Sequence, residues 1–181
     1  MTTHTRESLR SDREALGGLL ALADPERLRA LADAILAEVV PAEQDLATAP
    51  AQDPTQGSAQ DPAQGHAAPA PAFQITRAPS TGVLVGQVRE PIASQRFIAG
   101  DLVASTAEVA LGGATGWGMR LGDDRAAALS QAVLDAEVLR GGDRTADIIE
   151  LALATDEHLR AERAAEWERL TPTIVEFEEI A

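Results

Sequence analysis

Four arginines stand where this chain could hold an anion. Arg77, Arg89, Arg96 and Arg120 fall on or beside segments that read as β-strands. A guanidinium offers a planar fork of donors that grips phosphate and carboxylate in bidentate fashion. Joined to a carboxylate such as Asp101 or Asp124, the set is the minimum for a small hydrolase or nucleotide binder. The simpler reading is surface charge balanced by nearby acids. Asp123-Asp124 could bind a metal, but a carboxylate just before a helix serves more simply as its N-cap, accepting free backbone N–H groups. Gly112, Gly113, Gly116 and Gly118 have the wrong order for a dinucleotide-binding loop, and no helix begins where one is needed. A tight hairpin explains them better.

Other chemistry is excluded by residue type. Cysteine is absent, and all 15 basic residues are arginine. No disulfide, iron–sulfur cluster, Cys-ligated zinc or thiol nucleophile is possible. Without lysine there is neither a P-loop nor a Schiff base. The three histidines are His4 in the N-terminal tail, His66 in a low-complexity stretch and His158 on a helix. None has a second histidine at metal-ligand spacing, and His158 reads as an ordinary helix residue. The formal net charge of -14 repels phosphate backbones and anionic lipid head groups, so neither nucleic acid nor membrane is an expected partner. Near the end the acid excess (Glu166, Glu168, Glu176, Glu178, Glu179) reads as a solvated face. No signal-like segment and no run of about 18 apolar residues occurs, so a cytoplasmic location is expected. Aromatic residues make up only 3%, which leaves Ala, Leu and Val to fill the core. Such a core is modest and gains from a partner surface.

These residues need elements to position them. The pattern predicts an α+β fold with N-terminal helices, an antiparallel sheet of about four strands, and C-terminal helices. Ser11 and Glu14 fit a capping box, with Leu16, Leu19, Leu20 and Ala23 at helical spacing behind it. Asp24-Pro25 stops that run and opens another, carrying Leu28, Leu31, Ile35, Leu36 and Val39 on one face. Residues 1–46 form this helical segment. Residues 47–72 echo Ala51-Gln52-Asp53-Pro54-Thr55-Gln56-Gly57 in Ala59-Gln60-Asp61-Pro62-Ala63-Gln64-Gly65. With almost no apolar bulk, this stretch reads as a disordered linker. Residues 73–181 hold the sheet and the C-terminal helices, forming one domain with 1–46. Strands are expected around Val83–Val88, Phe97–Ala99 and Ala107–Leu111. Past a Gly112-Gly113 turn, another sets Trp117, Met119 and Leu121 on one face and Gly118, Arg120 and Gly122 on the other. A helix follows Asp123-Asp124 and ends at Gly141-Gly142. A second is expected from about Thr145 to Leu170, broken near Thr155. Pro172 ends it, leaving Ile174 to Ile180 extended. There Val175 and Phe177 alternate with glutamates, and a terminal strand needs an edge to pair with, in this sheet or a partner's.

One succession of residues adds more. Arg96-Phe97-Ile98-Ala99-Gly100-Asp101 leads to Thr106-Ala107-Glu108-Val109-Ala110-Leu111, then Gly116-Trp117-Gly118, then Leu121-Gly122-Asp123-Asp124-Arg125. It resembles PhnG, the G subunit of the bacterial carbon–phosphorus lyase system. Other parts agree in order: Arg13 with Leu16 to Ala23, Pro25 to Leu31, Gly82 to Arg89, Asp135-Ala136, and Thr173-Ile174-Val175-Glu176-Phe177. The resemblance covers nearly the whole chain except the linker. It departs at Arg125-Ala126-Ala127-Ala128, where the family usually has Lys-Arg-His-Ala, and at the acidic tail.

The resemblance implies a non-catalytic subunit of the carbon–phosphorus lyase core complex. That assembly transfers phosphonate onto the ribose of MgATP with release of adenine. Implied partners are the PhnI, PhnH and PhnJ subunits, with PhnL transiently. MgATP would be used by the complex, with no cofactor bound by this chain alone. The residues expected to meet partners or anions are Arg77, Arg89, Arg96, Asp101, Arg120, Asp124, Arg125, Val175 and Phe177; none is expected to be catalytic. A stand-alone adaptor or regulator, and a small nucleotide- or phosphate-binding enzyme, remain the alternatives.

Overall fold

The computed structural model describes residues 4–40 and 72–173. The stretch 47–72, except Ala72, and the tail with Val175 and Phe177 lie outside the described residues. Three helices come first: α1 (Arg6–Ser11), α2 (Arg13–Leu22) and α3 (Pro25–Val39). The capping box belongs to α1, where Thr5 and Ser8 each bond the other's backbone. Ser11 does not open a helix as expected. Its hydroxyl bonds back to the Glu7 and Ser8 carbonyls, and Asp12 caps α2 instead, accepting from the Ala15 N–H. Asp24 and Pro25 open α3 as read from the sequence, with Asp24 accepting from the N–H groups of Glu26 and Arg27.

The sheet is antiparallel in the order β1-β2-β3, with β1 (Phe73–Arg89), β2 (Arg96–Leu111) and β3 (Ala114–Leu121). Three long strands replace the four expected, because Phe97–Ala99 and Ala107–Leu111 are two ends of one 16-residue strand. Gly112 and Gly113 both take positive φ, 55° and 86°, the two-residue turn whose twist suits a hairpin. Pro79 and two register shifts fall in β1, on the outer edge of the sheet, where a missing donor costs little.

Two helices complete the fold: α4 (Arg125–Leu139) and α5 (Thr145–Leu170). A short 3-10 turn, Thr171–Thr173, follows at Pro172. No break occurs at Thr155, whose hydroxyl donates to the Leu151 carbonyl inside the helix. No helix among the described residues is long and apolar enough to cross a membrane.

The core sits where α4 is pressed between the sheet and the N-terminal helices. Ala127, Ala128, Ala132, Leu134 and Ala136 are fully buried, as are Leu20, Leu28 and Ile35 from α2 and α3. Each buried leucine or isoleucine contributes about 2 kcal/mol relative to leaving it in water. The small alanines let α4 approach β3 closely, and Gly116 and Gly118 face it. A Cβ on Gly118 would lie 2.2 Å from the Ala128 carbonyl oxygen, and one on Gly116 would lie 2.0 Å from that of Ala132. The buried face of β3 is thus its glycine face, while Trp117 and Leu121 on the other side are 42% and 62% exposed.

Candidate functional site

β1 and β2 run on together well past the third strand. The last β2–β3 pair is Ala104 with Leu121, but β1 and β2 stay paired from Val83–Val103 out to Arg89–Arg96. Residues 83–103 therefore form a two-stranded arm. Opposed residues share a face, so Val83, Val85 and Val103 line one side while Leu84 and Leu102 line the other. Both sides are open. Val83 is 64% exposed, Val85 57%, Val103 49%, Leu102 44% and Leu84 40%; beyond them Phe97 and Ile98 are exposed as well. A solvated two-stranded ribbon is marginal by itself, and a contiguous apolar patch of this kind marks an interaction surface.

The tip is shaped locally. Glu90 turns its carboxylate back to accept from the N–H groups of Ile92 and Ala93, and its own N–H donates to the Gln95 carbonyl at 2.9 Å. That turn lifts Ile92 to the end of the arm, 95% exposed. Arg89 and Arg96 face each other across the ladder just below it. Like charges directly opposed weaken a free hairpin. Among the described residues neither forms an ion pair, and Arg89 reaches only the Ser94 carbonyl, at 3.4 Å. Between residues 83 and 103 the charges cancel, Arg89 and Arg96 against Glu90 and Asp101, so the rest of the chain carries the whole -14.

The remaining candidate residues serve the body of the fold. Arg77 sits opposite Glu108 on the neighbouring strand, 3.8 Å away. From the buried face of β3, Arg120 reaches α2 and donates to the Leu20 and Ala23 carbonyls, both at 2.7 Å. A cation suits those last carbonyls of a helix. Burial lowers the Arg120 pKa against the pull of Asp124. Asp124 caps α4 through the Ala127 N–H and pairs with Arg29. Those two contacts, the backbone N–H first, hold its carboxyl below the ordinary carboxylate value. Arg125 is exposed at the start of α4, and Asp101 is exposed on the arm opposite Val85.

The arginine set thus divides between the arm tip (Arg89, Arg96), its base (Arg77) and the α2–β3–α4 junction (Arg120). No single anion cradle gathers all four. Sequence reasoning missed the arm as one object, although a signal was present: two adjacent runs rich in Val, Leu and Ile at matched distance from a Pro-containing turn. It also missed that Arg13 and Asp135 are partners. The Arg13 guanidinium donates to both Asp135 oxygens, at 3.1 and 2.6 Å, and the Trp117 backbone N–H donates to the same carboxylate at 2.9 Å.

A family model described as phosphonate metabolism protein PhnG matches residues 56–181. No curated protein matches the chain.

Proposed function

The chain belongs to the PhnG family of phosphonate metabolism proteins, and from that premise we propose that it is a non-catalytic subunit of a carbon–phosphorus lyase core complex. In that role it supports the transfer of phosphonate onto the ribose of MgATP, with adenine as the leaving group. The partners proposed are the PhnI, PhnH and PhnJ subunits, with PhnL joining transiently.

The observation that carries this reading is the arm. A ribbon with apolar side chains on both faces and a bare isoleucine at its end suits insertion between neighbouring chains. Net neutrality matters because the body, at -14, would repel any acidic partner, and the neutral arm is where contact with one costs least. Arg89 and Arg96 would meet acidic groups of the partner, relieving their opposition across the ladder. Val175 and Phe177 are proposed as a second contact, through strand pairing. Arg120 and Asp124, engaged within the body, would act by holding α2, β3 and α4 together.

Co-expression with a tagged PhnI homologue tests the reading. The chain should co-purify at a fixed ratio, and adenine release from MgATP with a phosphonate should need the full set of subunits. Adenine release by the pure chain, lost on Asp124→Asn, would show an enzyme in its own right.

A further inference from the structure

A cleft of about 670 Å³ opens between α2, β3 and α4 on the body, apart from the arm. Gly17 and Gly18 form one wall, Met119 and the exposed ring of Trp117 another, and Gln131 closes the inner end.

Three features single it out. First, glycine inside a helix is unfavourable relative to alanine, yet Gly17 and Gly18 lie mid-α2 with nothing within 4 Å of where a Cβ would stand. Nothing within the described residues requires that bare wall; it leaves room for something flat. Second, Gln131 is only 2% exposed, and its amide N–H donates to the Gly17 carbonyl at 3.1 Å, but its Oε1 is buried with no hydrogen-bond partner among the described residues. A buried acceptor left unpaired is costly and recovers that cost when a donor arrives. Third, the backbone at Trp117 is anchored: its main-chain N–H donates to Asp135, which pairs with Arg13. The partly exposed indole therefore rises from a fixed stretch of backbone at the cleft wall. Arg13, Glu14 and Asp135 border the cleft; Arg13 is paired with Asp135, and on a chain of net charge -14 the remaining Glu14 favours a neutral occupant over an anion.

We propose that this cleft is a socket for an aromatic side chain presented by a partner chain, a tyrosine or tryptophan. Its ring lies between Trp117 and the glycine wall, and its O–H or N–H donates to Gln131 Oε1. The partner as source rests on the subunit reading above; the socket itself does not.

The test uses the full chain carrying Trp167→Phe, so that one indole N–H signal remains, that of Trp117. It is followed by two-dimensional NMR during titration with N-acetyltyrosinamide and, separately, N-acetylphenylalaninamide. The Trp117 signal should shift saturably with the tyrosine analogue. The phenylalanine analogue should bind about fivefold more weakly, the usual worth of one neutral hydrogen bond. Gly17→Leu should abolish the response while circular dichroism stays that of the parent, and Gly18→Leu provides an independent blocker should the first variant misfold. Equal binding of both rings, no saturable shift, or full binding by a folded Gly17→Leu chain would overturn the socket. If the analogue binds but the Trp117 signal is unchanged on assembly with PhnI, the ring comes from a free ligand and the partner half of the proposal fails. Loss of assembly alone leaves the titration of the free chain intact, so the two readings fail separately.

Discussion

Gly116 and Gly118 decide how closely α4 can lie on the sheet. Without side chains they let the Ala132 and Ala128 carbonyls sit where a Cβ would be. Gly118→Ala should therefore push α4 outward and destabilise the chain by about 3 kcal/mol, at the upper end of ordinary overpacking. Urea denaturation with an unchanged m-value would register it. The sequence showed the alternation of β3 but not which side is inside. Trp117, Met119 and Leu121 make the more apolar face, yet packing was decided by the backbone approach that glycine permits. Asp124 carries the second residue-scale prediction. Its folded pKa is depressed below 3.8 by the Ala127 N–H and then by Arg29. A depressed carboxylate contributes stability that is fully present above its unfolded value and is lost as the pH falls through the folded one. Thermal stability should therefore drop as the pH goes below about 4. In Asp124→Asn part of that acid slope should disappear while the cap is kept, since asparagine caps as well as aspartate; Asp124→Ala should be weaker than the parent at neutral pH by about 1 kcal/mol, the common worth of an N-cap.

At the scale of elements, what was legible followed from local chemistry. Asp24-Pro25, Asp124 and Gly112-Gly113 each solve a backbone problem within a few residues, so the α3 start, the α4 cap and the β2–β3 turn could be read directly. The α1–α2 junction could not, since Thr5, Ser11 and Asp12 all suit caps and only the path of the chain chooses among them. The β1–β2 arm escaped for another reason. Apolar strands normally imply burial, and here they remain exposed on both faces. An arm held by one ladder, with little packed against it, should open readily. Backbone amides of residues 84–88 and 98–102 should exchange with deuterium at least about a hundredfold faster than those of 106–110, which lie between two strands. Protection of the arm equal to that of the central ladder in the free chain would mean that it packs against something within its own fold.

At the scale of the molecule, the charge distribution and the arm argue together. On the proposed reading, a body carrying the entire net charge of -14 and a neutral apolar ribbon would divide the labour between staying dispersed and finding a partner. The family was legible from the order of its motifs along the chain. The proposed arm was not, because it depends on which apolar residues stay uncovered after folding. The most direct test measures the affinity of the chain for a PhnI homologue, comparing the parent with a variant carrying Val83→Ser, Val85→Ser, Phe97→Ser and Ile98→Ser. These side chains are already about half or more exposed, so the unfolding free energy of the variant should stay within about 2 kcal/mol of the parent, about 0.5 kcal/mol for each substitution. Its affinity should fall at least a hundredfold, as expected when central apolar anchors of an interface are removed. A folded variant that binds PhnI as tightly as the parent would contradict the account, since the arm would then not be what joins this chain to its assembly.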